Sequence, residues 1–399
     1  MPTACVIQSD SRIHLASERL EVFGRNEQTQ RDEILRQIPI RDIDRLILAE
    51  SVQVTAQAMA ALLRAQIPIS VLGWSGQVLG SFLPADAAHG QARLQQYRCT
   101  QDPVFSLQMA GRIVAAKIYN QRRVVQRLGA SRSRHQAGET QGAGGRGCLK
   151  IPFLSPRGTS GERSEERGNH ERRASSPQPS PPSDGGEGEI QNLETALAGG
   201  ESELGLLDGL LHAASRAANI DELRGYEGAA TARYFACWGR FLPPEFPFER
   251  RSTRPPLNAV NACISFASTL LYSEMAAFIH AHGLDASLGL LHSTENGRWS
   301  LALDLIEPFR PALGEALTLD LFSHQILGKA HFENRNGGVY LNDEGRKKFL
   351  LQYERRFERQ FMSEAAGHRT TLRQQLENQA ILFKSSLYEP ETFQPFLIN

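Results

Sequence analysis

Only five cysteines occur in 399 residues (Cys5, Cys99, Cys148, Cys237 and Cys263), and no two of them form a CxxC pair. That excludes a zinc ribbon, an iron–sulfur cluster and a secreted disulfide scaffold. An excess of either charge is lacking too, since 44 Lys and Arg balance 44 Asp and Glu. Such a chain cannot hold a polyanion by bulk attraction, so any nucleic acid must meet a local patch. Nowhere do 18 apolar residues run together. The longest candidate, 257–283, is broken by Asn258, Asn261, Ser265, Glu274 and His280 and reads as a buried core helix. The opening MPTACVIQSDSR has no basic-then-apolar pattern, so a soluble, cytoplasmic protein without membrane contact is expected.

What is present divides the chain by period. Up to about residue 85 the segments ACVIQ, RIHLA, RLEVFG, DRLILAE, IPISVLG and QVLGSFL are β-branched or alternating, the pattern of half-buried strands. One helical piece, 55–66, interrupts them with Ala56, Met59, Ala60 and Leu63 on its apolar face. From Pro103 the period turns helical, with Leu107, Ile113, Val114, Ile118, Val125 and Leu128 near one face. Residues 191–223, 225–240, 257–282, 299–308, 316–330 and 341–377 also read as helices. The fold class is therefore α+β: a small N-terminal β-rich domain with one helix (1–90), followed by a larger, mainly α-helical domain (95–131 and 191–399). Between those two parts, residues 132–190 hold 11 Gly and 6 Pro but only 5 Leu, Ile, Val or Phe. So little apolar surface cannot offset the entropy of ordering, and a disordered insertion is predicted.

Acids and one histidine stand out in the helical part. Glu227 opens the small, apolar stretch GYEGAATARYF, where a helix dipole would favour an acid in the first turn. His292 closes an apolar run. Asp304 follows in LALDLIEPFRP, with Glu307 three residues on and so on the same helix face. A carboxylate among Leu301, Ala302, Leu303, Leu305 and Ile306 is costly unless it is paired or bound to a metal. Metal ligation, or a salt bridge to Arg298 or Arg310, would each answer that cost. No Cys, Ser or Tyr with an adjacent base is evident, which disfavours a covalent protein–DNA intermediate. For DNA, Lys348, Arg355 and Arg359 line up opposite the apolar stripe Phe349, Leu350, Tyr353 and Phe357; Lys117, Arg122 and Arg123 are a second candidate set. A merely solvated face would look the same.

Read together and in order, DIDRLILAESVQVTAQAMAALLRAQIPISVLGWSGQVLGSFLP, KIYNQ, LRGYEGAATARYF, RPPLNAVNACISFASTLLY, GLDASLGLLHS, LALDLIEPFRP and GGVYLNDEGRKKFLLQYERRF resemble the CRISPR-associated Cas1 family. The resemblance implies a metal-dependent DNA endonuclease and integrase of spacer acquisition, joining protospacer 3′-hydroxyl ends to the CRISPR repeat. It also implies a homodimer built by the β domain, with two such dimers bridged by a Cas2 dimer. It places the catalytic metal site on Glu227, His292 and Asp304, with Glu307 as a supporting acid. Two carboxylates and an imidazole suit Mg²⁺ or Mn²⁺. A catalytically silent DNA-binding scaffold of the adaptation complex, or a transposon-type integrase of the same family, are the alternatives.

Overall fold

The structure, a computed structural model, describes residues 3–8, 10–25, 32–73, 78–84, 90–139, 203–363 and 367–398. Two four-stranded sheets form the N-terminal part. One has the order β1 (Thr3–Val6), β5 (Arg45–Ala49), β7 (Ile69–Leu72), β8 (Val78–Phe82); its first three strands are parallel and β8 is antiparallel. The other runs β4 (Asp32–Pro39), β3 (Arg19–Arg25), β2 (Arg12–Ala16), β6 (Gln53–Val54), antiparallel except for the β2–β6 pair. Between β6 and β7 lies α1 (Ala56–Arg64), whose Thr55 cap accepts from the Ala58 amide. Its buried side is Ala58 and Leu62 rather than the predicted Ala56–Met59–Ala60–Leu63 face.

Alternation along β5 explains how this part is joined to the rest. Leu46 and Leu48 point into a small core with Ile13, Leu20 and Val22 of the second sheet and Leu62 of α1. Ile47, facing the other way, belongs to the large helical core together with Leu72 of β7. Parallel strands covered on both sides need such near-continuous apolar character.

The helical part comprises α2 (Gly90–Gln101), α3 (Pro103–Glu139), α4 (Glu203–Ala214), α5 (Ile220–Trp238), α6 (Ala259–Ala281), α7 (Ser300–Ile306), α8 (Ala316–Ser323), α9 (Asp343–Glu358) and α10 (Leu372–Ser386). By length and composition α6 could cross a membrane, yet 72% of its apolar window is buried inside the fold, as predicted for a core helix. The predicted stripe on α9 is also buried: Phe349, Tyr353 and Phe357 are fully covered and Leu350 nearly so.

Several predicted spans differ, 191–223 among them, since α4 stops at Ala214 and Asn219 caps α5. The helix from 103 continues to Glu139, past the predicted start of the insertion at 132; the remainder of that insertion lies outside the described residues. Residues 341–377 are not one helix, because α9 stops at Glu358 and the hairpin β11 (Phe361–Ser363)–β12 (His368–Thr370) intervenes before α10. A second hairpin, β9 (Phe332–Arg335)–β10 (Gly338–Leu341), turns at Asn336 and Gly337, both with positive φ. That is the Asn-Gly chemistry of a two-residue hairpin turn.

Candidate metal centre

Four segments converge on one charged cluster: α3 supplies Lys117, α5 supplies Glu227, the loop after α6 supplies His292, and α7 with the turn after it supplies Asp304 and Glu307. Lys117 lies on the same side of α3 as Ile113, Val114 and Gln121 and is only 5% exposed. Its ammonium donates to Glu227 Oε1 and lies 2.5 Å from Glu307 Oε2. Glu227 sits well inside α5, whose first turn holds Asp221 and Glu222 behind the Asn219 cap, so the helix dipole does not account for it. Thr231, one turn on, donates to the same Oε1 at 3.0 Å and accepts from Gln121 Nε2 at 3.2 Å.

Glu307 begins a short 3₁₀ turn, Glu307–Phe309, which is followed by a π turn, Pro311–Glu315. Asn120 of α3 fixes this irregular stretch by donating to Pro308 O at 2.7 Å. Arg310 donates to Glu307 Oε1 at 2.7 Å. Burial alone would push the Glu307 carboxyl up. The Arg310 and Lys117 charges outweigh burial and hold it down at about 2, so Glu307 is ionised. Its Oε2 is buried and, among the described residues, has no well-aligned hydrogen bond, only the ion pair with Lys117.

Asp304 is committed elsewhere. Its Oδ2 accepts from the Leu290 and Leu291 amides at 2.6 and 3.1 Å, and its Oδ1 from the His292 amide at 3.0 Å. Oδ1 also lies 2.5 Å from His292 Nδ1. One fully buried carboxylate thus organises the whole His292 turn, with Arg224 of α5 holding Leu291 O at 2.8 Å. Gly289 is required there, since a Cβ on it would fall 2.0 Å from His292 O. Neither arginine expected as the Asp304 partner reaches it: Arg310 goes to Glu307, and Arg298 to Glu295 at 3.0 Å. Burial pulls the imidazole toward neutrality, but the Asp304 hydrogen bond and charge, with Glu307 behind them, keep His292 above its ordinary value. With Nδ1 held by Asp304, Nε2 is the nitrogen left for a ligand. His292 and Glu227 are the partly exposed members, their side chains 33% and 22% accessible.

The donor set at this point, carboxylate oxygens with one imidazole, fits a hard divalent ion. The atoms gathered about Lys117 Nζ are Glu227 Oε1 and Glu307 Oε2; Asp304, predicted as a ligand, has its oxygens turned to backbone amides and the imidazole. Among the described residues no three His, Cys, Asp or Glu side chains form a ready metal cluster, and the two glutamates meet the lysine ammonium instead.

The predicted DNA contacts scatter. Lys117 is buried in the acid cluster and is not a surface contact. Arg122 pairs with Asp208 at 2.6 Å, and Arg123 donates to Gln126 at 2.7 Å. On α9, Lys348 pairs with Glu344 at 3.1 Å and lies 2.7 Å from His331 Nε2, while Arg355 is exposed. Arg359 follows the last helical residue in an extended conformation, so the three do not form one helical row. Arg310, Thr231 and Gln121 complete the cluster without having been singled out as site residues. The signal for a buried role at 117 was available: a lysine at helical spacing among Ile113, Val114 and Ile118.

The family model for CRISPR associated protein Cas1 matches residues 4–143 and 190–355, interrupted within the Gly- and Pro-rich segment. A CRISPR-associated endonuclease Cas1 of Thermus thermophilus is 37% identical over 187 residues, 47% of this chain and 56% of that protein. A Cas4 exonuclease/Cas1 endonuclease fusion of Geobacter sulfurreducens is 28% identical over 334 residues, 82% of this chain and 49% of that protein. The chain thus spans about half the length of these curated relatives. Among solved structures, a casposase bound to its integration product superposes with a TM-score of 0.71 at 19% identity, covering 97% of this chain and 90% of that one. A Cas1 protein from Thermotoga maritima gives 0.66 at 20% identity, covering 98% and 97%. The Cas6–RT–Cas1–Cas2 complex gives 0.68 at 20% identity, covering 98% and 36%. These structural likenesses bear on the fold, a β-rich N-terminal part followed by a larger helical one. By the family match across most of its length, the chain belongs to the Cas1 family.

Proposed function

We propose that this protein is a divalent-metal-dependent DNA endonuclease and integrase of CRISPR spacer acquisition. The observation that carries the reading is the meeting of two glutamate oxygens, from α5 and from the turn after α7, at one cation beside an Asp-oriented imidazole. Glu227, His292 and Glu307 would hold Mg²⁺ or Mn²⁺, and Asp304 would position His292 rather than ligate. The bound ion would polarise a phosphodiester and lower the pKa of an attacking hydroxyl, either water or a DNA 3′-end. Asp304 keeps Nδ1 of His292 as the donor, so the imidazole presents one tautomer. Arg310 orients Glu307, and Thr231 orients Glu227. The relatives support the wider setting: a casposase was captured with an integration product, and a Cas1 protein within an assembly that includes Cas2. For this chain we infer double-stranded protospacer and repeat DNA as substrates, a homodimer as the working unit, a bridging Cas2 dimer and a cytoplasmic location.

A strand-transfer assay tests this with a labelled duplex bearing 3′-hydroxyl ends, a repeat-bearing plasmid and the small partner protein. Joining should require Mg²⁺ or Mn²⁺ and stop with EDTA. Glu227→Gln and Glu307→Gln should each lose at least about 100-fold, beyond the cost of removing a supporting residue. Undiminished joining in EDTA would defeat the reading, and full activity in Glu307→Gln would defeat the ligand assignment.

A further inference from the structure

Lys117 is a buried amine in direct ion pairs with two acids that the preceding section assigns to a divalent ion. Its Nζ sits 2.5 Å from Glu307 Oε2 and donates to Glu227 Oε1. A Mg²⁺ ion ligated by those same oxygens at about 2.0–2.1 Å would have to take the space the ammonium fills. Two cations cannot share that space. We propose that Lys117 is a tethered counter-cation of the metal-free site, holding Glu227 and Glu307 together and withdrawing when the ion enters, so that it sets the metal affinity of the site. This rests on the metal reading above and deepens it.

Three features make the exchange physically reasonable. Glu307 is held through its other oxygen, Oε1, by Arg310 at 2.7 Å, so Oε2 stays aimed at the site when the amine leaves. Oε2 is buried with the Lys117 ammonium 2.5 Å away, so an entering ion would take over that same contact. Glu227 retains the Thr231 hydroxyl at 3.0 Å on the oxygen it shares with Lys117. A lysine suits the role because its ammonium is a point charge on a flexible four-carbon stem, whereas a guanidinium would lock both carboxylates in a fork.

Mn²⁺ titration of the purified full chain, followed by calorimetry, tests the proposal on wild type, Lys117→Met and Glu307→Gln. Lys117→Met should bind Mn²⁺ at least about tenfold more tightly than wild type and should melt earlier than wild type in EDTA, with Mn²⁺ closing that gap. Glu307→Gln should bind at least tenfold more weakly. Equal Mn²⁺ affinity in wild type and Lys117→Met would overturn the counter-cation role and leave the metal reading intact. No binding by any form would overturn the metal reading itself, and this proposal with it. A second measurement needs no variant: reductive methylation of wild type, read by mass spectrometry, should find Lys117 protected in EDTA and modified in saturating Mg²⁺. Protection that Mg²⁺ does not change would also overturn the proposal.

Discussion

Among the described residues, the buried charge cluster at the junction of the two parts and the one at the candidate metal centre are built differently. At the junction of the two parts, Arg45 of β5 and Arg373 of α10 enclose Glu274 of α6, which is fully buried. Arg373 spreads its fork over Glu274, Glu354 and Glu358, with the guanidinium 5.0 Å from the Phe357 ring centroid. Arg45 donates to Ser70 and Ser273 at 3.1 and 2.9 Å. In the candidate metal centre the shared cation is a lysine, and two members, Glu227 and His292, reach solvent. Guanidinium forks with fixed partners describe a joint. A point charge between two carboxylates, open on one side, describes a place where one cation can replace another.

The sharpest way to break this comparison is to remove one acid from each cluster. Glu274→Ala takes away the carboxylate between two buried guanidiniums and should cost about 3–5 kcal/mol of stability, measured by urea unfolding. Glu227→Gln keeps an acceptor for the buried Lys117, which Glu307 still neutralises, and should cost about 1–2 kcal/mol, less than Glu274→Ala, while joining is lost. If the two variants were destabilised equally, the distinction between joint and site would fall.

Asp304 belongs to the site by position and to the joint by construction. Asp304→Ala leaves three backbone amides and the His292 ring without their acceptor and should cost about 3 kcal/mol. The pairing also carries a pH signature. His292 is held above its ordinary value, so its contribution is complete below about pH 6.5 and is lost as pH rises through the folded value. The stability gap between wild type and Asp304→Asn should therefore narrow from pH 6 to pH 9, and in the variant His292 should titrate at lower pH by NMR. A constant gap across that range would mean that the imidazole is not paired with Asp304 in solution.

Legibility followed the range of the interactions. The strands at 3–6, 12–16, 19–25 and 45–49, helix α6 and the α9 stripe were readable because each is written in a local period. The Asn336-Gly337 turn and the Thr371–Gln374 capping box of α10 are equally local signals; the first marks the β9–β10 hairpin, and the second breaks the overlong 341–377 helix. For the site, the residue types and the Glu227–His292–Asp304–Glu307 set were legible. Which acid faces the cation was not, since Asp304 and Glu307 share a helix face and differ only in what folds against them. The Leu290–His292 amides that occupy Asp304 come from a loop whose course depends on Gly289 passing close to His292 O. Lys117 was misread for the converse reason: a lysine near two arginines suggests phosphate contact until its neighbours Ile113, Val114 and Ile118 are counted as a buried face.

The smallest expected effect concerns DNA contact by α9, where the comparison turns on which charges are already engaged. Lys348 is tied to Glu344 and His331, and Arg359 leaves the helix, whereas Arg355 stands exposed between Glu354 and Arg356, whose side chains turn inward to Arg373 and Asp320. If this surface follows a phosphate backbone, Arg355→Gln should flatten the dependence of duplex binding on salt by about 0.9 log unit per decade, the value of one lost contact. Lys348→Gln should change the slope by less than half of that, because its charge is already neutralised by Glu344 in the free protein. Binding isotherms at several salt concentrations, with wild type and the two variants side by side, read both slopes. Equal slopes in all three proteins would make α9 a solvated face and move the search for the DNA path to other surfaces. A larger change in Lys348→Gln than in Arg355→Gln would show that DNA displaces Glu344 from the lysine, the same exchange of partners inferred for Lys117 but at the surface.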